Sequence, residues 1–226
     1  MQLEPINILT IQFANEISQH EIPLFRGAVI HSLENKPILF HNHVGENFRY
    51  SYPLVQYKRI EGKAAIFCIG KGIEGIQELL SSKNFKYQIG RRNVDMLIES
   101  IDSSQVFIGC IQKEQHYRLH NWLPLNSYNY EIFQKTEDLV SKVLLFEGIL
   151  VGNILSLLKG IGIHIDQQIS LHITDLTSQY ILNYKKMKLM AFDIEFMANI
   201  QLPQYIGIGK NASIGCGVLT KKQTKY

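Results

Sequence analysis

The order of the predicted strands and helices in the first half of the chain is the feature that most restricts its fold. Ser18 and Glu21 form an S-x-x-E capping box, which predicts a helix that includes Pro23 in its first turn. The other predicted elements are a strand at 5–14, a hairpin within 52–69, a short helix at about 73–82 and a strand pair at roughly 84–113. This β-α-β-β-α-β order is that of a ferredoxin-like domain.

The second half of the chain follows a similar plan. Residues 116–125 predict a strand, and Thr136 is a good N-cap for a long apolar helix that runs to about Lys159. Two strongly alternating segments follow, and in the second one Phe192 and Phe196 share a face while acidic residues occupy the other. A glycine-rich segment closes the chain.

These elements predict an α+β fold of tandem ferredoxin-like (RRM-like) domains with a C-terminal glycine-rich loop. We place the N-terminal domain at residues 1–105 and the C-terminal domain with its glycine-rich loop at residues 106–226. The prediction rests on the order of the elements, because the two halves share no sequence repeat.

Composition and charge limit the class of partner. Apolar residues make up 46% of the 226 residues, which excludes a disordered chain and suffices for one large core or two small ones. The net charge is only +3, but residues 183–226 carry seven lysines against two acids. A polyanion is therefore expected to contact this C-terminal stretch, although a solubilising lysine tail explains the same pattern.

Cysteine spacing and hydropathy bear on location. Cys68, Cys110 and Cys216 form no close pair, which argues against a disulfide framework or a zinc site and fits a reducing cytoplasm. No signal-peptide pattern is visible at the N-terminus. Residues 143–163 resemble a membrane span but include Glu147, so a buried helix in a domain without membrane contact is the expected structure.

Residues 70–75, GKGIEG, match the G-x-G-x-x-G fingerprint of dinucleotide-binding domains, and Asp95 follows at a suitable distance. The preceding predicted strand is the second arm of a hairpin, however, and no β-α succession follows to build a parallel sheet. A tight turn between a strand and a helix therefore explains the glycines better, and dinucleotide binding remains an alternative for nucleotide titration.

The second glycine motif, residues 207–217, is GIGKNASIGCG. It is not a Walker loop, because Lys210 is followed by asparagine. Glycines among aliphatic residues can bring backbone amides close to phosphates, and Lys210 adds positive charge. A glycine-rich terminal hairpin with no ligand is the alternative.

A third cluster lies in residues 41–58, HNHVGENFRYSYPLVQYK. His41 and His43 are two residues apart and share one face of an extended chain. Imidazoles near their reference pKa suit acid–base chemistry on a phosphodiester. Dense tyrosines and cations suit stacking of unpaired bases and binding of phosphates. Metal binding or simple solvation of the two histidines stays open.

The segments IPLFRGAV, LFHNH, FRYSYPLVQYK and LPQYIGIGKNASIGCG, in this order, resemble the sixth Cas family of the RAMP superfamily, in its b-type branch. The resemblance implies a metal-independent endoribonuclease, without cofactor, that cleaves precursor CRISPR RNA within its repeats. It implies attack of a 2′-hydroxyl on the adjacent phosphate, which leaves a 2′,3′-cyclic phosphate and a 5′-hydroxyl.

The resemblance also implies residue roles. The histidine pair of the b-type branch corresponds to His41 and His43, whereas many relatives carry the histidine at the first helix, here His31. Tyr50 and Lys58 are predicted to orient the phosphate or stabilise its charge. The predicted RNA-binding residues are Arg26, Arg49, Tyr52, Gly207, Gly209, Lys210, Gly215 and Gly217.

Two functions therefore compete within the same superfamily. The first is the repeat-cutting ribonuclease, which the histidine pair favours, and the second is a catalytically inactive crRNA-binding subunit. The expected partner is CRISPR repeat RNA in both. Association with a CRISPR interference complex and formation of a homodimer are left open by the sequence.

Overall fold

The structure is a computed structural model that describes residues 3–33, 43–44, 47–48, 52–81, 85–184 and 187–222. It divides into two compact units. The N-terminal unit contains Pro5–Val106 together with Ser213–Gly215. The C-terminal unit contains Phe107–Ala212, the described residues from 216 on and the described residues before Pro5.

The N-terminal unit is built by the elements that precede and include the longest strand of the chain. They are β1 (Glu4–Glu16), α1 (Ile22–Ser32), β2 (His43–Val44), β3 (Asn47–Phe48), β4 (Val55–Ile60), β5 (Lys63–Ile69), α2 (Gly72–Gly75), α3 (Gln77–Ser81), β6 (Lys86–Ile89), β7 (Arg92–Asp95) and β8 (Ile98–Trp122). The main sheet has the order β4-β5-β1-β8, while β6 and β7 form a separate hairpin. Strand β1 thus lies between β5 and β8, which take the places of the third and the fourth strand of a ferredoxin-like fold. The predicted fold class is confirmed for this half.

Local sequence explains the turns and the core of this unit. The predicted hairpin is formed by β4 and β5, and its turn residues Glu61 and Gly62 both have positive φ, as a type I′ turn requires. Phe25 of α1 packs edge to face against Phe13 and Tyr57, with centroid distances of 5.7 and 5.6 Å. The helix is thereby fixed on the sheet by aromatic contacts.

The predicted capping box at the entry to α1 is present. Ser18 N–H donates to Glu21 Oε2 at 3.0 Å, and a short 3₁₀ turn leads into the helix. Arg92 on β7 also donates to the Glu21 carboxylate. The hydrogen bonds from Ser18, and then Arg92, hold the pKa of Glu21 at about 2 against an ordinary 4.5.

We expect Glu21→Ala to lower the free energy of unfolding by about 1 kcal/mol at neutral pH, because the capping box and the Arg92 ion pair are both lost. A depressed carboxyl pKa stabilises the fold above its ordinary value of 4.5, and this contribution disappears as the pH falls toward about 2. Urea unfolding of the wild type and of Glu21→Ala at about pH 7 and about pH 3 measures the difference in their free energies of unfolding. An equal difference at both pH values would contradict the assignment.

The C-terminal unit has the same plan with one change. Its further elements are α4 (Ser127–Lys135), α5 (Leu139–Gly160), β9 (Leu171–Tyr184), β10 (Met187–Gln201) and β11 (Val218–Lys221). The antiparallel order is β11-β8-β10-β9, again ferredoxin-like. Residues 202–217, all described, contain no helix, so the glycine-rich segment occupies the chain position of the second helix.

Two predicted boundaries in the middle of the chain are wrong. Thr136 does not begin a helix: its hydroxyl donates to the Ile132 carbonyl at 2.8 Å and it ends α4. Asp138 is the N-cap of α5 and accepts from Ser141 N–H at 2.8 Å. The strand predicted to end near 113 and the one predicted from 116 are the single strand β8, which contributes residues to both units.

Helix α5 differs from the expected buried helix. Its buried residues are Phe146, Leu150, Ile154, Leu157 and Leu158. Leu144 and Leu155 are 60% and 45% exposed on the rest of its surface. By length and composition α5 is apolar enough to cross a membrane, a test that core helices of other proteins also pass.

The structure argues against the dinucleotide alternative. β5, which precedes the G-x-G-x-x-G match, is antiparallel to both of its neighbours, β4 and β1. A side chain at Gly72 would overlap the backbone of Leu54, and α2 is only four residues long. The glycines therefore serve a tight turn, and the parallel β-α-β unit that a dinucleotide site needs is not formed.

Candidate RNA-processing site

The histidine pair lies largely outside the described residues. The backbone of His43 forms β2, which pairs with β3 so that His43 lies opposite Phe48. His41, Arg49 and Tyr50 fall outside the described residues. Their assignment as catalytic or RNA-binding residues therefore stays a prediction.

Strand β4 carries Lys58 into the interior of the N-terminal unit. Lys58 has no exposed surface, and its Nζ lies 5.6 Å from the centre of the Phe67 ring. This ring places its electron-rich face toward the ammonium group. A side chain so enclosed does not reach bulk solvent, so its predicted contact with a phosphate would require an opening beside it.

Residues 213–215 of the glycine-rich segment cover the outer edge of β4. Tyr57 N–H donates to the Ser213 carbonyl at 3.0 Å, and Tyr57 forms a parallel bridge with Ile214. β4 is an end strand of the sheet and is buried at five of its six positions, and this contact pairs its outer edge at Tyr57. An exposed edge with free N–H groups is a liability that this contact removes.

Arg26 and Tyr52, two predicted RNA-binding residues, lie near this strand. Arg26 on α1 is half-buried, and its charge acts on Tyr57, whose pKa is raised by burial above all. Tyr52 is half-buried just before β4. Both side chains thus retain exposed surface in the N-terminal unit, as a contact with RNA requires.

The glycines of the C-terminal unit are required by packing. Gly217 has a φ of +60°, donates to the Asn121 carbonyl at 3.1 Å, and a Cβ there would overlap the carbonyl oxygen of Ile208. At Gly209, φ is +85° and an added Cβ would lie 2.5 Å from Asn153 Oδ1, which accepts from Trp122 Nε1. Only glycine fits both positions.

Gly215 serves the N-terminal unit in the same way. Its carbonyl accepts from Gln19 Nε2 at 2.9 Å, and with a φ of +80° an added Cβ would lie 2.6 Å from Ile22 Cδ1. Both partners lie at the entry to α1. Gly215 therefore holds the start of the helix that carries Arg26 and His31.

The RNA-binding role predicted for the glycine-rich segment stays a prediction, and its glycines differ in how much surface they expose. Gly207, Gly215 and Gly217 are buried, Gly209 is half-buried, and Lys210 is exposed. Burial leaves the first three little surface for RNA, so their effect on RNA is expected to be indirect, through the shape of the segment. Lys210 is exposed, and its contact with phosphate stays a prediction.

We expect Gly217→Ala to lower the free energy of unfolding by about 3 kcal/mol, because it combines a left-handed φ with a backbone overlap. Gly152→Ala is the matched control, since an added Cβ there meets nothing within 4 Å and alanine favours the helix. Chemical denaturation measures both changes. Equal stabilities for the two variants would show that the segment tolerates side chains.

A polar cluster on the sheet of the C-terminal unit was missed by sequence reasoning. Glu195 on β10 lies 3.5 Å from His116 Nε2 and accepts from Lys222 Nζ at 2.5 Å. Lys222 first, with His116, holds the pKa of Glu195 below its ordinary range. His116, Arg118 and His120 alternate along β8, and this i, i+2, i+4 spacing was the signal that marked one polar face.

His31, the alternative catalytic residue, is well described. It is exposed near the end of α1, where it lines a groove of about 950 Å³ between α1 and the β6–β7 hairpin. It is therefore accessible to a ligand. Among the described residues, no three side chains of histidine, cysteine, aspartate or glutamate are grouped closely enough to hold a metal ion.

Two ferredoxin-like units and a glycine-rich segment form the fold that the sequence resemblance implied. The model of the Cas6b N-terminal domain matches residues 4–107, and that of the Cas6b C-terminal domain matches residues 109–222. The chain belongs to the Cas6b family of CRISPR RNA-processing proteins, as the sequence resemblance implied.

Two solved structures have a similar fold over nearly the whole chain. A crystal structure of Cas6b is 26% identical with a TM-score of 0.86, covering 97% of this chain and 100% of that one. A crystal structure of the CRISPR RNA processing endoribonuclease Cas6b is 23% identical with a TM-score of 0.73 at the same coverage, and supports the fold alone.

A curated relative matches only in part. The uncharacterized protein MJ0978 of Methanocaldococcus jannaschii is 34% identical over 96 residues. The match covers 42% of this chain and 64% of that protein, which is less than two thirds of its length.

Proposed function

We propose that this protein is a metal-independent endoribonuclease that cleaves precursor CRISPR RNA within its repeats. The observation that carries the proposal is the match of both halves to Cas6b domains, on a tandem ferredoxin-like fold. His41 and His43 supply acid–base groups suited to this chemistry, and His43 is the first residue of β2.

In the proposed reaction a 2′-hydroxyl oxygen attacks the adjacent phosphorus. One histidine accepts the 2′-hydroxyl proton as the new P–O bond forms. The other donates a proton to the 5′-oxygen as the P–O5′ bond breaks, which leaves a 2′,3′-cyclic phosphate and a 5′-hydroxyl. The nucleophile is already placed beside the phosphate, which lowers the entropic cost of attack.

The remaining predicted residues have supporting roles. Tyr50 orients the phosphate. Lys58 stabilises the charge of the phosphate, which requires an opening beside its buried side chain. Arg26, Arg49, Tyr52 and Lys210 bind RNA, the cations at phosphates and the tyrosine at an unpaired base. Gly207, Gly209, Gly215 and Gly217 shape the segment that carries Lys210.

His31 is the second candidate for the catalytic histidine. What supports it is its exposure on α1 and its position in the groove beside the β6–β7 hairpin. His31→Ala is therefore tested beside the His41 and His43 variants, and the variant with the larger loss of cleavage identifies the principal acid–base group.

A non-cleaving crRNA-binding subunit is the second candidate function. The polar sheet face with Arg118 supports it, because a cation on such a face suits RNA binding and needs no catalytic group. Incubation with an RNA that carries one repeat separates the two. Fragments of defined length support the ribonuclease, and intact bound RNA supports the subunit.

A further inference from the structure

The solvent-exposed side of helix α5 forms an outer face that consists of Leu144, Gly148, Gly152 and Leu155. The two leucines are 60% and 45% exposed. The two glycines are exposed and lie between them on the same side, because residues three or four positions apart are neighbours on a helix. A Cβ added at either glycine meets nothing within 4 Å. The helix therefore presents an apolar surface with a shallow depression at its centre.

Charges of opposite sign stand at the two ends of this outer face. Glu137 is exposed just before the N-cap of α5, and Lys159 is exposed in its last turn. Among the described residues neither side chain forms an ion pair. The other charged residues of the helix contact their own unit: Lys142 lies over an aromatic ring of α4, and Glu147 accepts from a backbone N–H of β9. The outer face is thus uncharged between its two ends.

These residues are arranged symmetrically about Gly148. Glu137 and Lys159 are each 11 residues away from it along the chain, and Leu144 and Gly152 are each four residues away. A second, antiparallel copy of α5, related by a two-fold axis at Gly148, therefore places Lys159 opposite Glu137 at both ends. The same operation places Leu144 opposite Gly152, so that a large side chain fills the space above a glycine, as in ridges-into-grooves packing.

We propose that two copies of this protein associate through the outer face of α5, antiparallel, with the two-fold axis at Gly148 and a Glu137–Lys159 ion pair at each end. The helix is about 33 Å long, so its outer face alone buries less than the roughly 800 Å² per partner of a tight complex. The dimer is therefore weak, with a Kd on the order of 10 µM. This surface belongs to the C-terminal unit and is independent of the proposed ribonuclease activity.

Gly148→Cys tests the position of the axis. A residue on a two-fold axis lies opposite its own copy, and helix axes about 10 Å apart leave the two Cα atoms about 5 Å apart, which a disulfide spans. We expect the introduced thiols to form a disulfide-linked dimer on mild oxidation. Ser156→Cys is the matched control, because residue 156 is exposed on the same helix but would lie about 24 Å from its own copy.

Electrophoresis without reducing agent measures the cross-link in the full-length protein. The wild type is the second control, because Cys68, Cys110 and Cys216 are buried and are expected to form no intermolecular disulfide. Equal cross-linking of Gly148→Cys and Ser156→Cys, or no cross-linking of Gly148→Cys, would overturn the proposed axis.

Reversal of the charges at the ends of the outer face tests the orientation. Lys159→Glu or Glu137→Lys alone places like charges opposite each other in both pairs, so we expect the Kd from sedimentation velocity to rise about tenfold. The two substitutions together restore opposite charges, and the Kd should return close to that of the wild type. Residues 137 and 159 are about 33 Å apart in one chain, so this recovery requires a second copy.

Stability separates this effect from a change in the fold. Each substitution places an unfavourable charge at a helix end, so the melting temperature of the double variant should be the lowest while its association recovers. A double variant that associates no better than the single variants would overturn the antiparallel arrangement. A wild type that stays monomeric up to about 100 µM would overturn the dimer itself and leave the outer face to a different protein.

Discussion

We expect the double substitution His41→Ala and His43→Ala to reduce cleavage of repeat RNA by about 10²–10⁴-fold, the usual contribution of general acid–base groups. RNA affinity should change little, because the phosphate contacts are assigned to Arg26, Arg49 and Lys210. The single variants are expected to be milder if one imidazole takes over part of the role of the other. Single-turnover cleavage and anisotropy titration measure the two quantities separately.

His164→Ala is the control for this experiment. His164 is 90% exposed in the C-terminal unit and has no role in the proposed chemistry, so its loss should affect neither cleavage nor affinity. Normal cleavage by the double variant would remove His41 and His43 from the mechanism. His31 would then be the histidine to test.

The second large effect is expected from the substrate. A repeat RNA with one 2′-deoxy nucleotide just 5′ of the cut should bind with similar affinity and remain intact, because the attacking oxygen is missing while the other contacts persist. A 2′-deoxy nucleotide several positions away is the control and should be cut normally. Cutting of the first substrate would exclude attack by the 2′-hydroxyl.

The regular part of the fold was predictable because it depends on local pattern. The capping box at Ser18 and Glu21, the Glu61-Gly62 turn and the alternation of β10 each act over a few residues, and each is present. The error at Thr136 is also local: threonine caps either end of a helix with its hydroxyl, and Asp138 is the stronger N-cap.

What sequence reasoning could not supply depends on residues far apart in the chain. The burial of Lys58 is one case: alternation along β4 does not indicate it, and its ammonium group lies over the ring of Phe67 on the neighbouring strand. Glycine is likewise required at position 215 by a close approach to Ile22, and at position 217 by a close approach to Ile208. The glycine spacing was visible in the sequence, but the same spacing is typical of a phosphate-binding loop and of a segment packed inside the fold. The spacing alone therefore does not distinguish the two.

The most direct test of the central claim is to incubate the wild-type protein with repeat RNA in excess EDTA and to identify the ends of the products. The proposed mechanism predicts a cut at one position that leaves a 2′,3′-cyclic phosphate and a 5′-hydroxyl, at a rate unaffected by the chelator. Fragments with a 5′-phosphate, a requirement for added magnesium, or RNA that stays bound and intact would contradict it.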